Sequence, residues 1–184
     1  MTFWPSLIGY QLVWFAAVIG ASRGVAWPGV AAMLAAVVCQ LALARRWKAD
    51  LSLLVAAVVC GWLLDGGLIH WQLVRYAAPW PSAALPPAWI LALWIAFALT
   101  FTQSLAWLQT RLWRAALLGL IGGPLAYLGA SRGWRVVTFT DPAWHALLGL
   151  GLSWAAATPA LAWLARRCSA RKPPSLVSLR GRPS

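Results

Sequence analysis

Six long apolar stretches alternate with short polar connections along the chain. They cover residues 5–21, 25–44, 51–71, 88–108, 113–130 and 143–165. A helix that crosses a bilayer needs about 20 consecutive, mainly apolar residues, because the hydrocarbon core is about 30 Å thick. Each stretch meets this length or comes close to it, and none has a hydrophilic face, which disfavours a soluble bundle of buried helices. The pattern therefore predicts an all-α polytopic membrane protein with six transmembrane helices.

Composition supports lipid as the main solvent of the folded chain. Hydrophobic residues make up 62% of the sequence and charged residues 10%, against about 25% charged residues in a typical soluble domain. The net charge is +12, but the basic residues cluster between apolar stretches, as they do in membrane-protein loops. Because no nucleic-acid-binding motif accompanies them, nucleic acid is excluded as a partner. The three cysteines share no spacing that would indicate a disulfide framework.

The distribution of Lys and Arg predicts the orientation. With the N-terminus inside, eleven positive residues lie on the cytoplasmic side and four on the outer side, which favours N-in and C-in. Six spans also place both chain ends on one side. The four outer residues are Arg23, Arg75, Arg132 and Arg135.

The composition changes after the sixth stretch. We expect residues 1–167 to form one transmembrane domain, whereas residues 168–184 form a basic, Pro- and Ser-rich, disordered cytoplasmic tail. Such a tail is expected to lie on anionic lipid of the inner leaflet. The bilayer, this anionic lipid and a possible membrane protein partner are therefore the expected partners.

Tryptophan positions fit the same plan. Eight tryptophans fall near the ends of the apolar stretches, where interfacial aromatic residues belong: Trp4, Trp27, Trp47, Trp71, Trp89, Trp113, Trp134 and Trp144. Four others lie deeper, and we expect them to pack in the core or line a pocket: Trp14, Trp62, Trp94 and Trp154.

The third stretch carries an unusual polar group. Asp65 is one of only three acidic residues in the chain, and lies about 21 Å along the predicted helix from Leu51. An ionised Asp at that depth costs about 2.5 kcal/mol or more unless it is paired or faces water. We therefore expect an Arg or His partner, with a structural and a direct functional role equally open. Gly66 and Gly67 predict either a close helix approach or a break in the helix.

The predicted topology collects most ionisable residues on the outer side. We expect a water-accessible pocket in the outer leaflet that binds an anionic head group, with these candidate residues: Asp65, His70, Arg75, Arg132, Arg135 and His145. Asp141 followed by Pro142 predicts the start of the sixth helix, with Asp141 as its N-cap. No HxxxH or HExxH spacing is present, so neither a metal nor a cofactor is predicted. No catalytic residue is assigned.

Two segments carry a family resemblance. LGLIGGPLAYLGA at residues 118–130 and LWIAFALTFTQSLAWL at residues 93–108, together with the helix of Asp65, resemble the bacterial inner-membrane family catalogued as domain of unknown function 2878. The resemblance covers roughly residues 6–167. It implies a small multi-pass protein of the bacterial inner membrane, and it carries no activity or catalytic residue.

Three functions remain open from the sequence. The first is a binding or accessory protein of a lipid- or envelope-related pathway that uses the outer pocket. The second is a membrane-embedded enzyme acting on a lipid-like substrate, with a histidine as acid or base. The third is a small transporter or lipid translocator, in which the Gly66–Gly67 and Thr158–Pro159 pairs would break helices.

Overall fold

A computed structural model describes residues 3–43 and 47–170, and this part of the chain forms six helices. Their bounds follow the predicted stretches closely except at the end of the fourth, and the all-helical class is confirmed. Four helices are long and apolar enough to cross a membrane, over Phe3–Ser22, Leu51–His70, Leu112–Trp134 and Trp144–Cys168. The helices are α1 Phe3–Ser22, α2 Trp27–Leu43, α3 Trp47–His70, α4 Ala88–Thr100, α5 Leu112–Trp134 and α6 Trp144–Ala170.

The fourth helix is shorter than the sequence predicts. It ends at Thr100, and a turn and a 3-10 helix over Ala106–Thr110 continue the path. The hydroxyl groups of Thr100 and Thr102 donate to the carbonyls of Phe97 and Leu99, at 2.5 Å and 3.0 Å. Such bonds offer the backbone an alternative to the regular helix. The amide of Gln109 then donates to the Phe101 carbonyl at 2.7 Å and satisfies one of the freed acceptors.

Two three-residue strands, which the sequence does not predict, join two of the connections. β1 (Val74–Tyr76) follows α3, and β2 (Val137–Phe139) lies between α5 and α6. They pair antiparallel, with Arg75 opposite Thr138. The strand pair therefore holds the last turn of α3, the last turn of α5 and the first turn of α6 at one end of the bundle.

Small residues set the distance between helices. A Cβ at Gly119 would overlap the Trp154 carbonyl oxygen, and a Cβ at Gly123 would lie 2.5 Å from Cγ of Trp154. These two glycines, four positions apart on α5, let α6 approach at backbone distance, as small residues do between membrane helices. On the other side of the bundle, Gly29 of α2 packs directly on Ala17 of α1.

The outside of the bundle is apolar. On α1, for example, Ile8, Leu12, Phe15 and Ile19 are all exposed along one face. A continuous apolar surface of this kind indicates a nonpolar surrounding rather than water. Five of the tryptophans predicted at the interface are exposed on the surface of the bundle: Trp4, Trp27, Trp71, Trp113 and Trp144.

Two tryptophans depart from their predicted positions. Trp89 was expected at the interface, but it is 1% exposed and its indole nitrogen donates to the Ala77 carbonyl at 2.9 Å. The Pro-rich connection before α4 folds back over this ring, so a position near the helix end is nevertheless buried. Trp62 was expected in the core or a pocket, but it is 46% exposed on the outer face of α3.

The predicted start of the sixth helix is wrong. Asp141 is exposed, the Asp141–Pro142 peptide is cis, and α6 begins only at Trp144. Asp141 is thus two residues too early to serve as the N-cap. At the other end α6 continues to Ala170, past the predicted boundary at residue 167. The remaining tail, residues 171–184, and the connection at 44–46 lie outside the described residues.

Candidate functional site

Asp65 points into the bundle and is 1% exposed. The hydroxyls of Tyr76 and Tyr127 both donate to its Oδ1, at 2.6 Å and 2.5 Å. The indole nitrogen of Trp94 donates to Oδ2 at 2.7 Å. A carboxylate is an acceptor-only group with room for several donors, so three donors from three separate elements satisfy it without an ion pair.

Trp94 reaches Asp65 because α3 leaves space for its ring. Gly61 lies one turn before Asp65 on the same face of α3, and a Cβ there would lie 2.5 Å from Cδ1 of Trp94. The indole therefore lies flat on the glycine and directs its N–H at the carboxyl group. Any larger residue at position 61 would push the donor away from Asp65.

β1 supplies the second donor. Side chains alternate along a strand, and in β1 Val74 and Tyr76 are buried while Arg75 between them is exposed. Burial, reinforced by the neighbouring Asp65 carboxylate, holds the pKa of Tyr76 well above its ordinary value. Tyr76 therefore stays protonated and remains a hydrogen-bond donor.

The expected Arg or His partner of Asp65 is absent from the part of the chain that the structure describes. Its place is taken by two tyrosines and a tryptophan. These donors are neutral, so burying them does not carry the large free-energy cost of removing a charged side chain from water. Gly66 and Gly67 do not break α3, which runs unbroken to His70. A carboxyl and an imidazole five residues apart on a regular helix point to different faces, so Asp65 and His70 do not pair.

The structure separates Asp65 from the other candidate residues. His70, Arg75, Arg132, Arg135 and His145 are all exposed. They share one end of the bundle, as the predicted topology requires, but they do not converge with Asp65 on one pocket.

Two of these residues have identifiable surroundings. The His145 ring packs on Trp144, with the ring centroids 3.7 Å apart. Arg75 borders a surface recess of about 410 Å³ beneath the Pro-rich connection, where Gln72 and Tyr76 also contribute. Tyr76 thus lies between this recess and Asp65, and it screens the carboxyl group from the outer arginine.

Aromatic rings surround the other side of the Asp65 cluster. Trp94 stacks on Trp154 of α6, with centroids 4.4 Å apart and planes 27° apart. Phe97 contacts both Trp154 and Tyr10, at 5.2 Å and 5.9 Å between centroids. Between these rings and α1 is a cavity of about 30 Å³, which is large enough to hold a water molecule. We call it the inner cavity.

A larger space adjoins the inner cavity. Between α1 and α5 there is a crevice of about 370 Å³, which shares Tyr10, Trp14, Ala126 and Trp154 with the inner cavity. Gln11, Phe15 and Leu118 at its rim are exposed, so it opens on the outside of the bundle. We call it the α1–α5 crevice, and its remaining lining residues are Leu7, Phe97, Thr100, Ser104, Leu105, Gly122 and Gly123.

The crevice lies between two contacts that α1 makes, one with the end of α5 and one with the turn after α4. At one end Trp14 and Phe15 pack on Trp134, with centroids 5.4 Å and 5.8 Å apart. At the other end Ser6 and Ser104 are hydrogen-bonded at 3.1 Å. In the middle, α5 presents Gly122 and Gly123, which have no side chains to fill the gap.

Sequence reasoning located Asp65 and suggested Trp94 and Trp154 as deep residues, but it missed the roles of Tyr76 and Tyr127. The chain has only three tyrosines, and a phenol is a natural buried donor for a carboxyl group in an apolar interior. The small number of tyrosines was therefore the one signal in the sequence that could have identified them as partners of Asp65. The α1–α5 crevice had no such signal, since it depends on helix separation.

The comparisons with known proteins give one match. The model of a family described as "Protein of unknown function (DUF2878)" matches residues 4–160. No curated protein and no solved structure matches the chain. The matched segment contains α1 to α5 and most of α6, with Asp65, its three donors and the whole α1–α5 crevice. Since the match extends over most of the sequence, the chain belongs to the DUF2878 family of proteins of unknown function.

Proposed function

We propose that this chain is an integral protein of the bacterial inner membrane with six spans and both termini in the cytoplasm. Four helices are long enough to cross, and α2, with 17 residues, would extend over about 26 Å. α4 and the 3-10 helix after it together run from residue 88 to 110. The count of eleven inner against four outer positive residues supports the orientation.

We further propose that the protein binds a lipid-like molecule as an accessory component of a lipid- or envelope-related pathway. The observation that carries this proposal is the α1–α5 crevice, with its volume of about 370 Å³ and its opening on the apolar side of the bundle. A concave, mainly apolar space with a few polar groups is the usual form of a small-molecule site. A ligand dissolved in the bilayer would enter it sideways without crossing water.

The fixed carboxyl group supports binding rather than catalysis. Asp65 is buried and held by three hydrogen bonds, and its donors are Tyr76, Trp94 and Tyr127 rather than His70 or His145. An enzyme would need an acid or base within hydrogen-bond reach of one cavity.

Two partners are proposed besides the bilayer. One is anionic lipid of the inner leaflet, which the basic tail would bind at about 1 kcal/mol per close charge, and the other is a further membrane protein.

A lipid translocator is the second candidate. The α1–α5 crevice extends from Trp14 to Ser104, and it includes the polar side chains of Gln11, Thr100 and Ser104. A groove with polar groups along its length could carry a head group between leaflets while the chains stay in lipid. Reconstituted vesicles with a fluorescent lipid would distinguish the two, because a binding protein does not accelerate its exchange between leaflets.

The experiment for the binding proposal fills the crevice. Gly122 lines it, and an added Cβ would meet only Leu118, at 3.9 Å, so Gly122→Leu places a side chain in the crevice without a backbone clash. The matched control is Gly129→Leu on the same helix, where an added Cβ meets nothing within 4 Å. Both variants would be purified in mild detergent and their co-purifying lipids quantified by mass spectrometry.

We expect Gly122→Leu to lose most of a specific co-purifying lipid-like molecule, while Gly129→Leu retains it at the level of the unmodified chain. The control corrects for lipid that adheres non-specifically to the apolar exterior. If both variants retain the same molecules in the same amounts, the crevice is not the binding site and the proposal fails.

A further inference from the structure

Trp154 has a hydrogen-bond donor that is not used within the described residues. The side chain is 9% exposed, and its Nε1 is buried without a partner. Every other buried tryptophan of the cluster is satisfied, since Trp89 donates to Ala77 and Trp94 to Asp65. A buried N–H without an acceptor is unfavourable and is uncommon in folded proteins. Trp154 borders both the inner cavity and the α1–α5 crevice, so a small shift of its ring would bring the buried Nε1 to an acceptor placed there.

Tyr10 offers a second polar group at the same place. It also borders both spaces, and its hydroxyl has no hydrogen bond to any residue that the structure describes. Phe97 lies between Tyr10 and Trp154 and contacts both rings. The two unused groups therefore flank one aromatic ring, on opposite helices α1 and α6.

The lining limits the ligand further. No Asp, Glu, Lys or Arg is among the residues that border either space. An ionised group would thus be desolvated without a counter-charge, which is strongly unfavourable. The aromatic walls suit a flat or apolar body. What remains is a neutral molecule with a hydrogen-bond acceptor and an apolar body.

We propose that the α1–α5 crevice binds a membrane-soluble molecule through a neutral carbonyl oxygen that accepts a hydrogen bond from Trp154 Nε1, with Tyr10 Oη as a further donor that borders the same space. This inference rests on the proposed lipid-binding function and specifies the ligand's chemistry. A carbonyl of this kind occurs in the ring of a prenylated quinone and in the ester of an acyl lipid. The apolar tail of either would leave through the opening between α1 and α5.

The test uses the purified full-length chain and Trp154→Phe, which removes the N–H and keeps an aromatic ring. Trp62→Phe is the matched control, because Trp62 is exposed on the outer face of α3. The probes are a decyl-substituted benzoquinone, methyl palmitate, and hexadecane as a chain without an acceptor. Binding of isotope-labelled probes in detergent gives the affinities, and infrared spectra of carbonyl-labelled probes report the hydrogen bond directly.

We expect Trp154→Phe to weaken binding of a carbonyl probe by about tenfold, which is the loss of about one hydrogen bond, and to shift its carbonyl stretch to higher frequency. Hexadecane binding and the Trp62→Phe control should not change. A loss for the benzoquinone alone identifies a quinone, and a loss for the ester alone identifies an acyl lipid. If Trp154→Phe does not fold, the carbonyl stretch of the probe bound to the unmodified chain is compared with that of the free probe in the same detergent. An unchanged stretch would then contradict the hydrogen bond.

Two outcomes would overturn the inference. One is equal affinity and an unchanged carbonyl stretch in the unmodified chain and Trp154→Phe. The other is that neither carbonyl probe binds the unmodified chain, although Gly122→Leu still loses the co-purifying molecule. In the second case lipid binding at the crevice survives and only the carbonyl assignment fails, so the two proposals can be judged separately.

Discussion

Asp65 shows how one polar side chain is accommodated in an apolar bundle. Its three donors come from positions 11, 29 and 62 residues away in the chain. The sequence located the carboxyl group because an Asp in an apolar stretch is visible in one dimension. It could not identify the partners, because Tyr76, Trp94 and Tyr127 meet only after three further elements have folded. The expectation of a charged partner failed for the same reason.

The two tyrosines are expected to act together on stability. Tyr76 and Tyr127 donate to the same oxygen of Asp65. Removing one hydroxyl should lower the free energy of unfolding in detergent by about 1–3 kcal/mol. Removing both leaves Oδ1 bare, so the double variant Tyr76→Phe, Tyr127→Phe should lose more than the sum of the single variants. Chemical unfolding monitored by circular dichroism measures the cycle.

Tyr10→Phe is the matched control for this cycle. Its hydroxyl has no hydrogen bond within residues 3–43 and 47–170, so its removal from the ligand-free chain should change stability by less than about 0.5 kcal/mol. Single variants no less stable than Tyr10→Phe would contradict the assigned role of the hydroxyls.

At the scale of elements, the helices were predictable and the short strands were not. Length and hydropathy located all six helices because each extends over many residues. β1 and β2 have three residues each, too few for an alternation to stand out from an apolar background. The early end of α4 depends on Thr100 and Thr102 bonding back to the backbone, a choice that the amino-acid type allows but does not require.

Close packing between α5 and α6 depends on Gly119. We expect Gly119→Ala to destabilise the protein by about 1–3 kcal/mol, because the added methyl group would overlap the Trp154 backbone and must push the helices apart. Gly129→Ala adds the same group in open space, so it should be neutral or slightly stabilising through helix propensity. Thermal unfolding in one detergent compares them. Equal melting temperatures would argue against this packing.

The strand pairing predicts a cross-link. Arg75 and Thr138 are directly opposite each other, and opposed residues in an antiparallel pair have Cα atoms about 4.5–5.5 Å apart, within disulfide range. In a chain with its three cysteines replaced, Arg75→Cys with Thr138→Cys should oxidise to an intramolecular disulfide. Peptide mapping by mass spectrometry detects it. Arg75→Cys with Arg132→Cys is the control, and equal yields in both pairs would contradict the register.

At the scale of the whole molecule, successive helices alternate in direction between the two ends of the bundle. The strand pair places the ends of α3 and α5 with the start of α6. A hydrogen bond between Ser6 and Ser104 and another from Gln40 to Thr102 place the start of α1, the end of α2 and the turn after α4 together. The sequence predicted this alternation from span number and charge, but the crevice between α1 and α5 follows only from packing in three dimensions.

Labelling of intact cells would test the proposed orientation. In a cysteine-free background, His145→Cys at the strand-pair end should react with a membrane-impermeant maleimide added outside. Trp107→Cys in the 3-10 helix at the other end should react only after the membrane is opened. Both positions are exposed, so neither is shielded from the reagent by the protein itself. The reverse pattern would show that the orientation is opposite to the proposed one. Labelling of both positions from outside would show that the two ends of the bundle do not lie on opposite sides of the membrane.

The alternation of β1 has a consequence for how the protein opens. Arg75 faces out and Tyr76 faces Asp65. Separation of β1 from β2 therefore also breaks the hydrogen bond from Tyr76 to the buried carboxyl group. Local fraying at this edge is thereby linked to opening of the core. The amides of Arg75 and Ala77, which lie in the hydrogen-bonded pairs of the ladder, should accordingly exchange with deuterium as slowly as those of mid-α3, although they belong to a surface connection. In Tyr76→Phe the same amides should exchange at the fast rate of an ordinary loop.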